Sequence, residues 1–139
     1  MQRLLILSLG IICINLSDCV AQSTTGIWVI DLVKITPGKE KEAIYFYTNN
    51  WQVFREAAKK EGYISSYQMI RTHKQDVAQF DLLLMTEFAD SASFNKMEEN
   101  FRGIISARQG GPRFLNDLRP KDFMELVNSV EGVSLLTKD

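Results

Sequence analysis

Two carboxylates stand inside or at the end of segments that are otherwise apolar. Asp31 interrupts the run Ile27–Thr36 (IWVIDLVKIT), and Glu87 nearly closes the run Phe80–Phe88 (FDLLLMTEF). Apolar surroundings desolvate a carboxylate and raise its pKa toward the range useful for proton transfer, unless a cation pairs with it. Lys34 and Arg71 are cations in such segments. His73 is the single histidine and could serve as a general base or an iron ligand. Asp31, Glu87, Arg71 and His73 are therefore the catalytic candidates, and that reading requires them to converge on one enclosed cavity. The competing reading makes the carboxylates a structural ion pair or an exposed strand edge. It makes His73 a solvated residue of the polar connection HKQDVAQ.

A second set is aromatic. Tyr67 and Gln68, with Trp28 and Trp51, are the candidates for lining a pocket that takes a flat hydrophobic molecule. Trp51 and Tyr47 suit core packing equally well, because both fall on one helical stripe.

Other chemistries lack their residues. One histidine and scattered carboxylates do not supply the three or four convergent ligands of a metal site. Glu98 and Glu99 are adjacent on a helix, about 100° apart, and read as a solvated face. Gly110-Gly111-Pro112 has neither the preceding strand nor the lysine of a phosphate loop. No nucleophile-elbow pattern is present. The expectation is a site with no metal and no cofactor. With 16 basic and 17 acidic residues the chain has no basic excess for nucleic acid or for an anionic membrane.

The first residues set the expected location. Arg3 precedes an apolar run from Leu4 to Leu16, and Cys19-Val20-Ala21 offers small residues where signal peptidase cuts. The run is too short for the ~20 residues that span a bilayer. Residues 1–21 therefore read as a signal peptide, and the protein is expected to be exported to the periplasm or beyond. Leu16-Ser17-Asp18-Cys19 also resembles a lipoprotein box, although Asp18 stands where a small residue is usual. The alternative is thus an anchor through Cys19. Both cysteines, Cys13 and Cys19, lie in this segment, so the released chain would carry no disulfide. Residues 22–26 read as a disordered lead-in and 27–139 as one domain.

The elements that would position the candidates follow from periodicity. Ile27–Thr36 reads as a strand apolar on both faces. Pro37-Gly38 ends it, and a helix follows from Lys39 to Glu61. Its stripe is Ile44, Tyr47, Trp51, Phe54 and Ala58, while Arg55, Glu56, Lys59 and Lys60 mark its ends and solvent side. Tyr63–Thr72 and Phe80–Phe88 read as an antiparallel hairpin. Asp90 or Ser91 caps a second helix that Gly110-Gly111-Pro112 stops. Arg113–Arg119 reads as a short helical turn, and about Phe123–Val130 as the last strand. The order β-α-β-β-α-β predicts an α+β fold, the ferredoxin-like split βαβ, with a four-stranded antiparallel sheet and two helices on one face.

Such a sheet should be polar on its open face. Here Ile30 and Leu32 oppose Val29 and Val33, and Leu83 and Met85 oppose Leu82 and Leu84. Both faces need cover, so a homodimer is expected, with a second copy supplying the second layer.

On WVIDLVKITPGKEKEA, EGYISSYQMIRT and LLLMTEFADSASFNKM the chain resembles the dimeric α/β-barrel superfamily. Members include antibiotic-biosynthesis monooxygenases, EthD-like and NIPSNAP-like proteins. The resemblance covers nearly all of residues 27–130 as a pattern of elements and lacks a catalytic signature. Its cofactor-free oxygenases use a pocket of tryptophan, asparagine and arginine, for which Asn49, Asn50, Trp51 and Arg71 offer the residue types. Its heme-degrading members use a helical histidine, which His73 does not match. The expected function is an exported homodimeric domain that binds a small hydrophobic or aromatic molecule. The alternative is a cofactor-independent monooxygenase, isomerase or lyase acting on a phenolic or polyketide-like substrate.

Overall fold

The computed structural model describes residues 26–73 and 79–135. The expected signal segment, with Cys13 and Cys19, lies outside them, as do Lys74 and Asp76 of the polar connection. Strand β1 is Ile27–Ile35, rich in the β-branched residues that suit a pleated surface. Pro37 and Gly38 turn the chain, with Gly38 at φ 77°, where a side chain would be strained. Helix α1 (Glu40–Phe46), a π turn (Tyr47–Trp51) and α2 (Gln52–Lys60) follow without a break. Gly62, at φ 74°, closes α2. The N–H groups of Gly62 and Tyr63 donate to the carbonyls of Lys59 and Ala58, which satisfies two free helix acceptors.

Strands β2 (Ser66–Arg71) and β3 (Leu82–Phe88) form the antiparallel hairpin. Helices α3 (Ser91–Asn95) and α4 (Met97–Ala107) come next, then a short α5 (Pro120–Phe123) and β4 (Met124–Val133). The sheet order is β2-β3-β1-β4, with every neighbouring pair antiparallel. This is the ferredoxin-like α+β fold the sequence predicts. Ile27 pairs with Val133, and the Ser134 N–H donates to the Gly26 carbonyl, so the two ends of the domain sit side by side.

Register assigns the faces. Val33 pairs with Leu82 and Asp31 with Leu84, on the side covered by helices. There Val33, Leu82, Leu84 and Phe88 pack with Ala43, Tyr47, Trp51, Phe101 and Phe123 in two buried clusters. Trp28, Ile30, Leu32, Leu83 and Met85 alternate onto the other side. That side is apolar at its centre, as the two-faced strands predict, and its five central side chains are only half-buried. Ile70 and Val130 extend it and are exposed.

Three details differ from the sequence reading. The long helix contains a π turn, because Asn49 Nδ2 donates to the Tyr45 carbonyl and Asn50 Nδ2 to the Phe46 carbonyl. Those side chains engage acceptors that regular helical N–H groups would use, which favours the wider turn. The short helix lies at Pro120–Phe123 and not at Arg113–Arg119. Proline suits the first helical position, and the Asp122 carboxylate accepts from the Arg119 N–H. The last strand then runs to Val133.

Asp90 caps α3, accepting from the Ser93 N–H at 2.7 Å. That bond holds its pKa below the ordinary 3.8. A depressed carboxylate pKa stabilises the fold above the unfolded pKa, and the contribution is lost as pH falls through the folded value. Asp90→Ala is therefore expected to lower the urea midpoint at pH 7. The gap to wild type should close as pH drops below the carboxylate range.

Candidate functional site

On the helix side of the sheet, one charged side chain sits among aromatic rings. Arg55, one α-helical turn beyond Trp51, reaches back over β3. Its Nε donates to Thr86 Oγ1 at 3.2 Å. Its Cζ lies 4.8 Å from the Trp51 ring centroid and 4.3 Å from that of Phe101. The two rings clamp the guanidinium through cation–π contacts, one from the π turn and one from α4. Burial pushes the Arg55 pKa down to about 10, and the charge of Asp31 opposes that shift. Thr86 is itself buried.

Asp31 faces the same space from β1. Its Oδ1 accepts from Ser129 Oγ of β4 at 2.6 Å, and its charge reaches both Arg55 and Tyr47. Burial, and then Asp31, raise the Tyr47 phenol above its usual value. Tyr47 thus stays a protonated hydroxyl at any physiological pH. Trp51 is 8% exposed, and its Nε1 is a buried donor without a hydrogen bond. Its ring meets Tyr67 edge-on at 5.6 Å. The Tyr67 hydroxyl donates to Glu56 in a short hydrogen bond, and burial followed by that contact raises its pKa. Chemically the cluster offers a fixed cation, a carboxylate, a neutral phenol and flat apolar walls.

The sequence candidates divide between the two sides of the sheet. Asp31, Trp51 and Tyr67 belong to this cluster. Glu87 does not, because register pairs it with Trp28 on the open face. There its Oε2 accepts from Ser66 Oγ at 2.6 Å. Gln68 and Trp28 are on that open face too. Arg71, at the end of β2, and His73 beyond it are exposed. Lys34 pairs with Asp81 at 3.6 Å. The four acid/base candidates therefore do not assemble within the described residues.

Arg55 and Thr86 are the members that sequence reasoning missed, while Tyr47 reads as core packing on the helical stripe and is buried. Arg55 reads as part of the solvated side of its helix, but it lies over the sheet. The available signal was its spacing of four from Trp51, which places the cation on the ring.

Asn49 and Asn50 have a different job. Asn50 is 3% exposed and fully bonded. Its Nδ2 donates to the carbonyls of Phe46 and Arg113, and its Oδ1 accepts from Arg108 Nη1 and the Arg113 N–H. Arg108 Nη2 donates to the Asn49 carbonyl. These bonds tie the loop after α4 to the π turn. Beside them an open groove of about 700 Å³ runs between α2 and α4, lined by Val53, Phe54, Ala57, Tyr63 and Ile104. It is nevertheless the poorer candidate, because Arg108 at its margin already serves the Asn49 and Asn50 contacts.

No protein-family model matches the chain, and no curated protein matches it. Among solved structures it is similar to the crystal structure of HapK from Hahella chejuensis, at 15% identity and a TM-score of 0.48. That likeness covers 78% of this chain and 92% of that one. At this level it does not bear on activity.

Proposed function

We propose that the chain works as a homodimeric binding domain that takes a small hydrophobic or aromatic molecule on the helix side of its sheet. The observation that carries this reading is Arg55, a guanidinium held between two aromatic rings and facing Asp31. Such a convergence of a few polar groups on flat apolar walls is how small-molecule sites are built. The dimer, which the resemblance to the dimeric α/β-barrel superfamily implies, draws support from the uncovered face of Trp28, Ile30, Leu32, Leu83 and Met85. Apolar area of this kind contributes about 25 cal/mol per Å² when it leaves water. A second sheet packed ~10 Å away is the geometry that covers it.

Sedimentation of the purified protein should show a dimer. Leu83→Glu, which places a charge at the centre of the face, should weaken association by ~100-fold or more. A monomeric wild type would overturn the dimer. For the ligand, Trp28→Phe leaves Trp51 as the fluorescent reporter, and a panel of aromatic molecules should quench it saturably. A flat response across the panel would remove the binding reading.

Catalysis on a phenolic or polyketide-like substrate, without a cofactor, is the second reading. One observation favours it: among the described residues one Asp31 oxygen has no hydrogen bond, as a base would need, and its charge reaches Arg55 and Tyr47. Mass spectrometry of the recovered ligand separates the two. A binder returns it unchanged, and an enzyme does not.

A further inference from the structure

The orientation of Arg55 specifies more than a flat ligand. Its Nε is committed to Thr86 Oγ1, and rings flank the guanidinium at 4.8 and 4.3 Å. These contacts restrain the plane of the fork and leave its two Nη atoms uncommitted. Neither Nη has a hydrogen-bond partner among the described residues. Neither is sealed either: the Trp51 indole nitrogen is the one fully buried side-chain nitrogen or oxygen left without a bond among them. Neither Lys34–Asp81 nor Lys39–Glu42 involves Arg55, and among the described residues no carboxylate lies at ion-pair distance of it. A desolvated cation normally has an anion on it. Here none of the described residues supplies one at ion-pair distance.

We infer that the ligand is an aromatic or apolar molecule bearing a carboxylate, held end-on by Arg55 Nη1 and Nη2 with its body against Trp51. This rests on the binding reading given above and names the class of molecule bound. A planar fork with two parallel donors matches the two oxygens of a carboxylate. A phosphate fits less well. One guanidinium is a thin counter-charge for a dianion, and Asp31 would repel it more than a monoanion. Asp31 also sets the strength of binding. Its carboxylate lies beyond ion-pair distance of Arg55 but within its field. It therefore opposes the incoming anion and keeps the site from binding anions indiscriminately.

The test uses two probes of the same shape, 2-naphthoate and the neutral 2-naphthylmethanol, titrated into the intact protein at pH 7 and low salt by calorimetry. Wild type should bind naphthoate ~10-fold more tightly than the alcohol, the expected order for one charge-assisted pair. Arg55→Gln should abolish that preference, bringing naphthoate down to or below the affinity of the alcohol measured in the same variant. Asp31→Asn should tighten naphthoate binding ~3- to 10-fold, because it removes a like charge and keeps the shape. Circular dichroism checks that Arg55→Gln is folded; if it is not, the Asp31→Asn arm decides alone. Equal affinity for both probes in wild type would overturn the carboxylate and leave the binding reading standing. So would a preference that survives Arg55→Gln, or an Asp31→Asn variant that binds naphthoate no better. Failure of both probes to bind would overturn the two readings together.

Discussion

Replacing Asn50 with alanine is expected to remove about 3 kcal/mol of stability. The side chain is 3% exposed and holds four partners, three of them backbone groups. Alanine strands the Arg113 N–H and carbonyl, the Phe46 carbonyl and one Arg108 nitrogen. A buried polar group left without a partner costs about 1–3 kcal/mol, and the loop groups can recover part of this from water. Asn50→Leu, which fills the space without bonding, should fare no better. Urea unfolding at fixed protein concentration measures the loss. A loss under ~1 kcal/mol would mean that the loop and the π turn do not depend on each other. Hydrogen exchange at the Arg113 amide gives a local check, since that proton should lose its protection in the variant.

Phe123→Ala is expected to cost about 3–5 kcal/mol. Phe123 is 2% exposed in the cluster that joins Val33, Ile35 and Leu82 to α1, and its ring lies 5.7 Å from that of Phe46. Its carbonyl also accepts from the Thr36 N–H at 3.0 Å, so it closes the sheet end where β1 leaves and β4 begins. Truncation removes the transfer energy of the ring and leaves a cavity that a proline-anchored helical turn cannot easily collapse. With a urea slope of about 1–2 kcal/mol per M, the midpoint should fall by roughly 1.5–5 M at unchanged slope. Conserving volume separates packing from hinge effects: Phe123→Leu should recover most of the loss.

The sequence carries the architecture because strand alternation and helix stops are local signals. Ile30 and Leu32 opposing Val29 and Val33 implies two apolar faces whatever the topology, and both are present. Gly62 and Asp90 act where their backbone chemistry says they should. The site was less legible, for three reasons. Asp31 and Glu87 both sit in apolar strands, but register opposes Asp31 to Leu84 and Glu87 to Trp28. A shift of one residue in pairing decides which face a side chain takes, and no single strand reveals it. Arg55 sits in a charged stretch, and long cations on helices usually face water. Its spacing from Trp51 is a local hint, but Thr86 and the ring of Phe101, 31 and 46 positions later in the chain, turn that default around. The π turn depends on Asn49 and Asn50 bonding backwards along the helix, a choice the residue types permit but do not force.

The neighbouring ends of the domain have a mechanical meaning. The residues just inside them, Ile27 and Val133, are directly paired across antiparallel strands, with Ser134 bonded to Gly26 beyond them. Tension applied between those ends would load the β1–β4 ladder at its last rung. Antiparallel hydrogen bonds lie perpendicular to the strands, so that pull opens them one after another and never shears them all at once. The fold is thus poorly suited to bearing force along its own backbone. Tension on a tether at one end alone leaves this ladder unloaded, whereas tension between both ends peels away first the strand that carries Ser129, the hydrogen-bond partner of Asp31.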